Sequence, residues 1–330
     1  MSKGILIIDG LNILHAANAT KQLSVGAQPT QAILGFLRFT RQAILTYPQL
    51  TPVVAHDGRS WRYDVYKEYK ASRNKPPVTA TEIKLAELRG QLKEQKAFVV
   101  RALELLQVRQ ISALNLEADD LAAILSRKAA ARGQKVLLLS ADKDWIQLIQ
   151  PNVSWFDPIR DVRLTYETLP KRLGWDDGKK RIVANKTDQK DMPLAVPSPR
   201  AWLEMKALMG DSSDEISGVG GIGERGAIEF INQFGSVSAF LNASIDGTLP
   251  VLPKKFASFA TDAAKQELWR RNMILMDLNH SSVPEPINLK ISMGKYNESG
   301  FGDLCDELLF KSITANLPDW CESFRERAAA

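Results

Sequence analysis

Gly4-Ile5-Leu6-Ile7-Ile8-Asp9-Gly10 is an apolar run that breaks off at a carboxylate and a glycine. A run so short is the pattern of a parallel strand buried on both faces, and it falls well below the length of a signal peptide or a membrane span. Residues 52–56 and 135–139 repeat the pattern, and each has an aspartate just beyond its end, Asp57 and Asp142. Residues 152–156 are a fourth candidate strand. Between the first two runs, Pro29-Thr30 opens a segment that places Ile33, Phe36, Leu37 and Ile44 on one helical face. Strand, helix and strand in alternation predict an α/β fold with a mainly parallel sheet flanked by helices. In such sheets sites assemble at the carboxyl edge, where Asp9, Asp57 and Asp142 are expected.

Further along, the alternation lapses. Residues 63–108 are polar and basic, with Lys67, Lys70, Arg73 and Lys75 close together and Pro76-Pro77 as a break. Thr79-x-x-Glu82 then forms a capping-box pattern, and Leu85, Leu88 and Leu92 follow at helical spacing, so a helix leaves the sheet here. Residues 174–200 are polar and carry Pro193, Pro197 and Pro199, the composition of a loop or insertion. Residues 202–209 and 227–234 read as helices on either side of a glycine-rich turn at 218–223, and the chain stays mainly helical to Met276. The expected division is 1–173, 174–200 and 201–330.

The 330 residues suffice for a large core, and a formal net charge of +5 is compatible with a polyanionic partner. Cys305 and Cys321 lack metal-ligand spacing, which argues against a disulfide framework or zinc site and for a reducing cytoplasm. The carboxylates fall in five groups: Asp9; Asp57; Glu117, Asp119 and Asp120; Asp142 and Asp144; Asp211 and Asp214. Each alone has an ordinary reading as a turn or helix cap. Together at strand ends they form an oxygen-rich, self-repelling set suited to Mg²⁺ or Mn²⁺. Two such ions can position one phosphate, activate water and stabilise the departing oxygen. The glycines of residues 218–226 leave backbone amides bare for a phosphate, although a turn between packed helices would use the same residues.

In chain order, Ile7-Ile8-Asp9-Gly10, Asp57 with Arg62, Tyr69-Lys70-Ala71-Ser72-Arg73, Glu117-Ala118-Asp119-Asp120, Ser140-Ala141-Asp142-Lys143-Asp144 and residues 210–227 form an ordered set. This set resembles the 5′-nuclease family of flap endonucleases, 5′-exonuclease domains of bacterial DNA polymerase I and free-standing bacteriophage 5′-exonucleases. The last of these it resembles most, and the resemblance covers roughly residues 4–235.

The resemblance implies a PIN-like nuclease core over 1–173, a helical arch over 63–108, and a helical DNA-binding subdomain over 201–330 with a helix–three-turn–helix at about 202–235. It implies one metal among Asp9, Asp57, Glu117, Asp119 and Asp120, and a second among Asp142, Asp144, Asp211 and Asp214. Catalytic roles fall to Lys70, Arg73, Asp119 and Asp142. DNA contacts fall to Arg62, Tyr69, Lys70, Arg73, Gly218, Gly221, Gly223 and Arg225, with Tyr69 either stacking on a base or packing in the fold. The carbonyls of Val219 and Ile222 would hold K⁺.

The activity implied is metal-dependent 5′-3′ exonuclease and flap-endonuclease cleavage in DNA replication or repair, including RNA primer removal. The expected enzyme is a monomer in a bacterial or phage-infected cytoplasm, acting on DNA with 5′ flaps, nicks or single-stranded 5′ ends, or on RNA–DNA primers, beside unidentified replication proteins and without a membrane. Two departures stand out: Ala16 occupies a position where the family often has arginine, leaving Lys21 as a substitute, and the Asp57–Arg62 spacing is short. A PIN-type ribonuclease is the enzymatic rival, against which the glycine hairpin argues. A non-catalytic, structure-specific DNA-binding protein is the other, and the full carboxylate set argues against it.

Overall fold

A computed structural model describes residues 4–20, 22–172 and 196–328. Lys21 and most of the 174–200 segment lie outside the described residues. Strands β1 (Gly4–Asp9), β2 (Leu50–His56), β3 (Arg109–Ser112), β4 (Val136–Leu139), β5 (Val153–Asp157), β6 (Val162–Leu164) and β7 (Lys290–Ser292) form one sheet in the order β7-β3-β2-β1-β4-β5-β6. The five central strands are parallel, and β6 and β7 close the two edges antiparallel.

Both faces of β1 are covered. Leu6 and Ile8 pack into one core with α1 (Gly10–Asn18), α2 (Gln31–Thr46) and the inner half of α3 (Ala80–Leu105), and Ile7 packs into the other core with α4 (Ala118–Ala130). That double burial is why β1 is continuously apolar rather than alternating. The expected capping box at Thr79 and Glu82 opens α3 with both reciprocal hydrogen bonds formed.

Beyond residue 196, α5 (Pro199–Met209), α6 (Glu224–Phe234), α7 (Val237–Ile245), α8 (Lys254–Thr261) and α9 (Ala263–Met276) extend the second core, with Phe230 at the centre of an aromatic cluster. The chain then returns. β7 joins the sheet beside β3, and α10 (Glu298–Glu307) and α11 (Leu317–Ala328) cover α2 and α3. Arg327 fastens this return by donating to Leu50 O at 2.7 Å and Pro48 O at 3.0 Å, where the chain leaves α2. The expectation of a helical subdomain through residue 330 is corrected accordingly: residues 290–328 belong with the sheet. Among the described residues no helix is long and apolar enough to cross a membrane.

The chain order reverses at β1, with β2 and β3 to one side and β4 and β5 to the other. The crevice between the carboxyl ends of β1 and β4 is therefore the natural binding position.

Candidate active site

Asp9 ends β1 and caps α1, accepting from Asn12 N at 3.0 Å and from Ser140 Oγ at 2.7 Å. Asp57 follows β2 and accepts from Ala118 N at 2.8 Å. Glu117 caps α4 beyond β3, and Asp119 in the first turn of that helix accepts from Trp145 Nε1 at 2.6 Å. Asp142, just past β4, caps the 3-10 turn Lys143–Leu148, which carries Asp144. The turn after α5 brings Asp211 and Asp214 to the same place. Eight carboxylates thus line one cavity of about 820 Å³, together with Lys70 and Arg73.

This concentration of charge is visible in the acidities. Burial raises the Asp9 carboxyl to about 7 and Asp142 to about 6, and the negative charges of Asp57 and Asp144 respectively push the same way. Burial, with Asp142 and Asp9 close by, raises Asp119 well above the usual range. Among the described residues no three of these side chains enclose an ion as they stand. The donor set nevertheless fits hard divalent cations, being all oxygen and short of countercharge at its centre.

A raised carboxyl stabilises the fold most below its unfolded pKa, near 3.8, and that contribution disappears as pH rises through about 6–7. Glu117 and Asp211 have lowered values, so their contributions change only at more acid pH. The metal-free protein should therefore melt lower at pH 8 than at pH 5.5, by an amount worth about 1–4 kcal/mol. Millimolar Mg²⁺ should raise the melting temperature clearly more at pH 8. Scanning calorimetry at both pH values checks this, and equal shifts would contradict it.

Cations frame the carboxylates. Lys70 adopts a left-handed backbone, φ 50°, that few non-glycine residues take up. Its Nζ lies 2.6 Å from Glu117 Oε1 and 3.5 Å from Asp214 Oδ2. Arg73, half exposed, reaches Asp214 Oδ1 at 3.3 Å. Burial acts to raise Glu117, but the charges of Lys70 and Arg62 outweigh it and hold the carboxyl below its ordinary value. On the other wall, Lys206 of α5 bridges Asp144 and Asp211, the latter at 3.1 Å. Lys206 escaped sequence reading because it sits mid-helix among Trp202, Met205 and Met209; the signal was its position five residues before Asp211.

Two expectations are corrected, and of the two alternatives for Tyr69 packing is the one observed. Arg62 is 3% exposed, with Nη2 at 2.8 Å from Asp120 Oδ1 and Nε at 2.6 Å from Leu275 O, so it braces the floor and cannot touch DNA. Asp120, wholly buried, is taken up by that guanidinium and by Glu117 N at 3.1 Å, and it does not line the cavity. Tyr69 is 2% exposed, its hydroxyl donating towards Glu117 and Asp214, so its ring packs and offers no face to a base.

Around the glycine turn, a Cβ on Gly218 would lie 2.3 Å from Met209 O, which makes this glycine a packing requirement. Gly220 and Gly221 have positive φ, and Gly223 precedes α6 with open space about it. Arg225 is exposed with a 3.6 Å ion pair to Glu229, while the Val219 and Ile222 side chains are buried. Near Ala16 no cation stands on α1; instead Arg89, Lys93 and Lys96 of α3 line the facing wall of the cavity, near His15. Sequence reading placed that stretch in the polar, basic arch region but singled out none of these three residues.

Comparison with known proteins agrees with this architecture. A family model described as 5′-3′ exonuclease, N-terminal resolvase-like domain, matches residues 4–174, and one described as 5′-3′ exonuclease, C-terminal SAM fold, matches 197–289. DNA polymerase I of Chloroflexus aurantiacus is 30% identical over 95% of this chain, which spans only 30% of that relative's length. A 5′-3′ exonuclease of Buchnera aphidicola is 29% identical, covering 73% of this chain and 74% of its own. In structure, T5 5′-exonuclease with divalent zinc ions bound has a TM-score of 0.62 at 22% identity, covering 98% of this chain and 99% of that one, which shows a shared fold.

Proposed function

Because the chain belongs to the 5′-3′ exonuclease family, we propose that it hydrolyses DNA phosphodiesters at free 5′ ends and 5′ flaps, as exonuclease and flap endonuclease. The observation that carries this reading is the convergence of eight carboxylates with Lys70 and Arg73 on one cavity at the switch point of the sheet. Asp9, Asp57, Glu117 and Asp119 would hold one Mg²⁺ or Mn²⁺, and Asp142, Asp144, Asp211 and Asp214 a second. When bound, the pair would supply a water acidic enough to attack at neutral pH and charge to offset the leaving oxygen.

The chain's own groups do the rest. Lys70, fixed in place by its left-handed backbone and by Glu117, presents a buried ammonium to the scissile phosphate, where desolvation strengthens its effect on developing negative charge. Arg73 stands beside it at the more exposed rim and orients the same phosphate. Lys206 neutralises Asp144 and Asp211 while no cation is there. Arg89, Lys93 and Lys96 supply from α3 the phosphate contacts that Ala16 cannot. The amides of residues 218–223 and Arg225 would grip the duplex backbone, with K⁺ on the carbonyls of Val219 and Ile222.

The proposed setting is replication or repair, RNA primer removal included, by a monomer in a bacterial or phage-infected cytoplasm. A single assay tests the substrate class: a 5′-flap DNA, a nicked duplex and a single-stranded RNA, each with Mg²⁺. Flap DNA should be cut at least about 10-fold faster than RNA, a transition-state preference of about 1.4 kcal/mol. Preferred RNA cleavage would point to a PIN-type ribonuclease, and tight flap binding without product to a DNA-binding protein.

A further inference from the structure

The 3-10 turn Ala71–Asn74 carries Arg73 and starts directly after Lys70. Its other amides bond locally, Ala71 N donating to Glu68 O at 3.0 Å and Arg73 N to Lys70 O at 3.0 Å. Ser72 N donates instead to the carboxylate of Glu215, at 2.9 Å to Oε2 and 3.1 Å to Oε1, 143 positions along the chain. The main chain repeats the link close by, where Lys70 N donates to Asp214 O at 3.1 Å. Tyr66 adds a third tie, its hydroxyl donating to Glu215 O at 3.4 Å. Lys70 and Glu215 both have left-handed backbones, φ 50° and 59°. Residues other than glycine keep such a backbone only where the surroundings hold it. Glu215 itself does not line the carboxylate cavity.

We infer that Glu215 is a positioning residue, resting on the cleavage proposed above: it clamps the segment that carries Lys70 and Arg73 to the segment that carries Asp211 and Asp214. One segment addresses the phosphate and the other the cations, so their relative placement sets the geometry of attack. Lys70 keeps its contact with Glu117 when the clamp is gone. Arg73, half exposed and 3.3 Å from Asp214, depends on the turn for its place. Because both cations act most strongly on the charge that develops during reaction, the clamp governs rate more than affinity.

Two measurements on the full chain test this. Trypsin nicking of the folded protein after Lys70 and Arg73, mapped by mass spectrometry, should be about 10-fold faster in Glu215→Ala than in the parent, since nicking follows the opened turn. Glu215→Gln keeps an acceptor for Ser72 N and should be nicked at close to the parent rate. In single-turnover cleavage of saturating 5′-flap DNA with Mg²⁺, Glu215→Ala should be about 10-fold slower, with flap affinity in Ca²⁺ within about 2-fold of the parent. Glu215→Gln should recover most of that rate. In a Lys70→Ala/Arg73→Ala background, Glu215→Ala should slow cleavage no further, an absence of additivity that a general loss of structure would not produce. Parent-like nicking of Glu215→Ala, equal losses in the Ala and Gln variants, or a further loss of about 10-fold in the Lys70→Ala/Arg73→Ala background would overturn the inference. A parent that leaves flap DNA intact would overturn the nuclease reading instead, while the nicking rates still decide the clamp.

Discussion

Asp142→Asn should slow single-turnover cleavage of a 5′ flap in Mg²⁺ by on the order of 10³-fold or more, because it removes a full charge from the place where cations and phosphate must meet. Asparagine keeps the oxygen that accepts from Asp144 N at 2.8 Å, so the turn after β4 survives. The carboxylate it replaces is ionised at a disadvantage, its pKa being raised to about 6 by burial and by Asp144. Two readouts should therefore move in opposite directions at pH 8: cleavage collapses while the metal-free protein melts slightly higher. Flap binding in Ca²⁺ should remain measurable. Wild-type cleavage by this variant would remove Asp142 from the chemistry, and a large drop in melting temperature would mean that it serves the fold instead.

Arg62→Met should destabilise the protein by about 3–5 kcal/mol, as removal of one partner from a buried ion pair does. The guanidinium satisfies Asp120 through two hydrogen bonds and reaches Glu117 Oε2 at 3.2 Å, and it ties Leu275 O of α9 to the floor of the site. Methionine fills much of the space and leaves the buried carboxylate of Asp120 alone. An Arg62→Met/Asp120→Leu double variant should recover part of the loss, since the orphaned charge goes with its partner. Urea unfolding of the single and double variants reads this directly. A loss below about 1 kcal/mol for the single variant would mean that the guanidinium is not the brace described, because even an exposed pair contributes up to that amount.

Arg62 also marks where sequence reading stops. The central strands were legible because burial on both faces leaves an unbroken apolar run, and the aspartates beyond β1, β2 and β4 were legible because strand ends announce themselves. β3 was not: its four residues are Arg-Gln-Ile-Ser, held in the sheet by neighbours rather than by their own hydrophobicity, with Gln110 buried against His56. β7 was invisible for a related reason, since it is short and lies 178 to 182 positions along the chain from its register partners. Among the charges, sequence shows which residues are acidic or basic and roughly where. It does not show which basic residue faces the cavity and which faces inward. Arg62 and Lys70 lie eight positions apart, yet the guanidinium of one is sealed beneath the floor and the ammonium of the other lines the cavity. Asp119 and Asp120 are adjacent, and the helical turn sends one to Trp145 and the cavity and the other to Arg62.

The central claim is that the carboxylate cavity cuts DNA from its 5′ side with divalent cations. Product mapping on a 5′-labelled flap substrate, with Mg²⁺ and with EDTA, tests it most directly. The predicted result is labelled single-stranded fragments released at or near the flap junction in Mg²⁺, short labelled products from free 5′ ends, and intact substrate in EDTA. Labelled products of unchanged pattern in EDTA, or trimming only from the 3′ end, would contradict it.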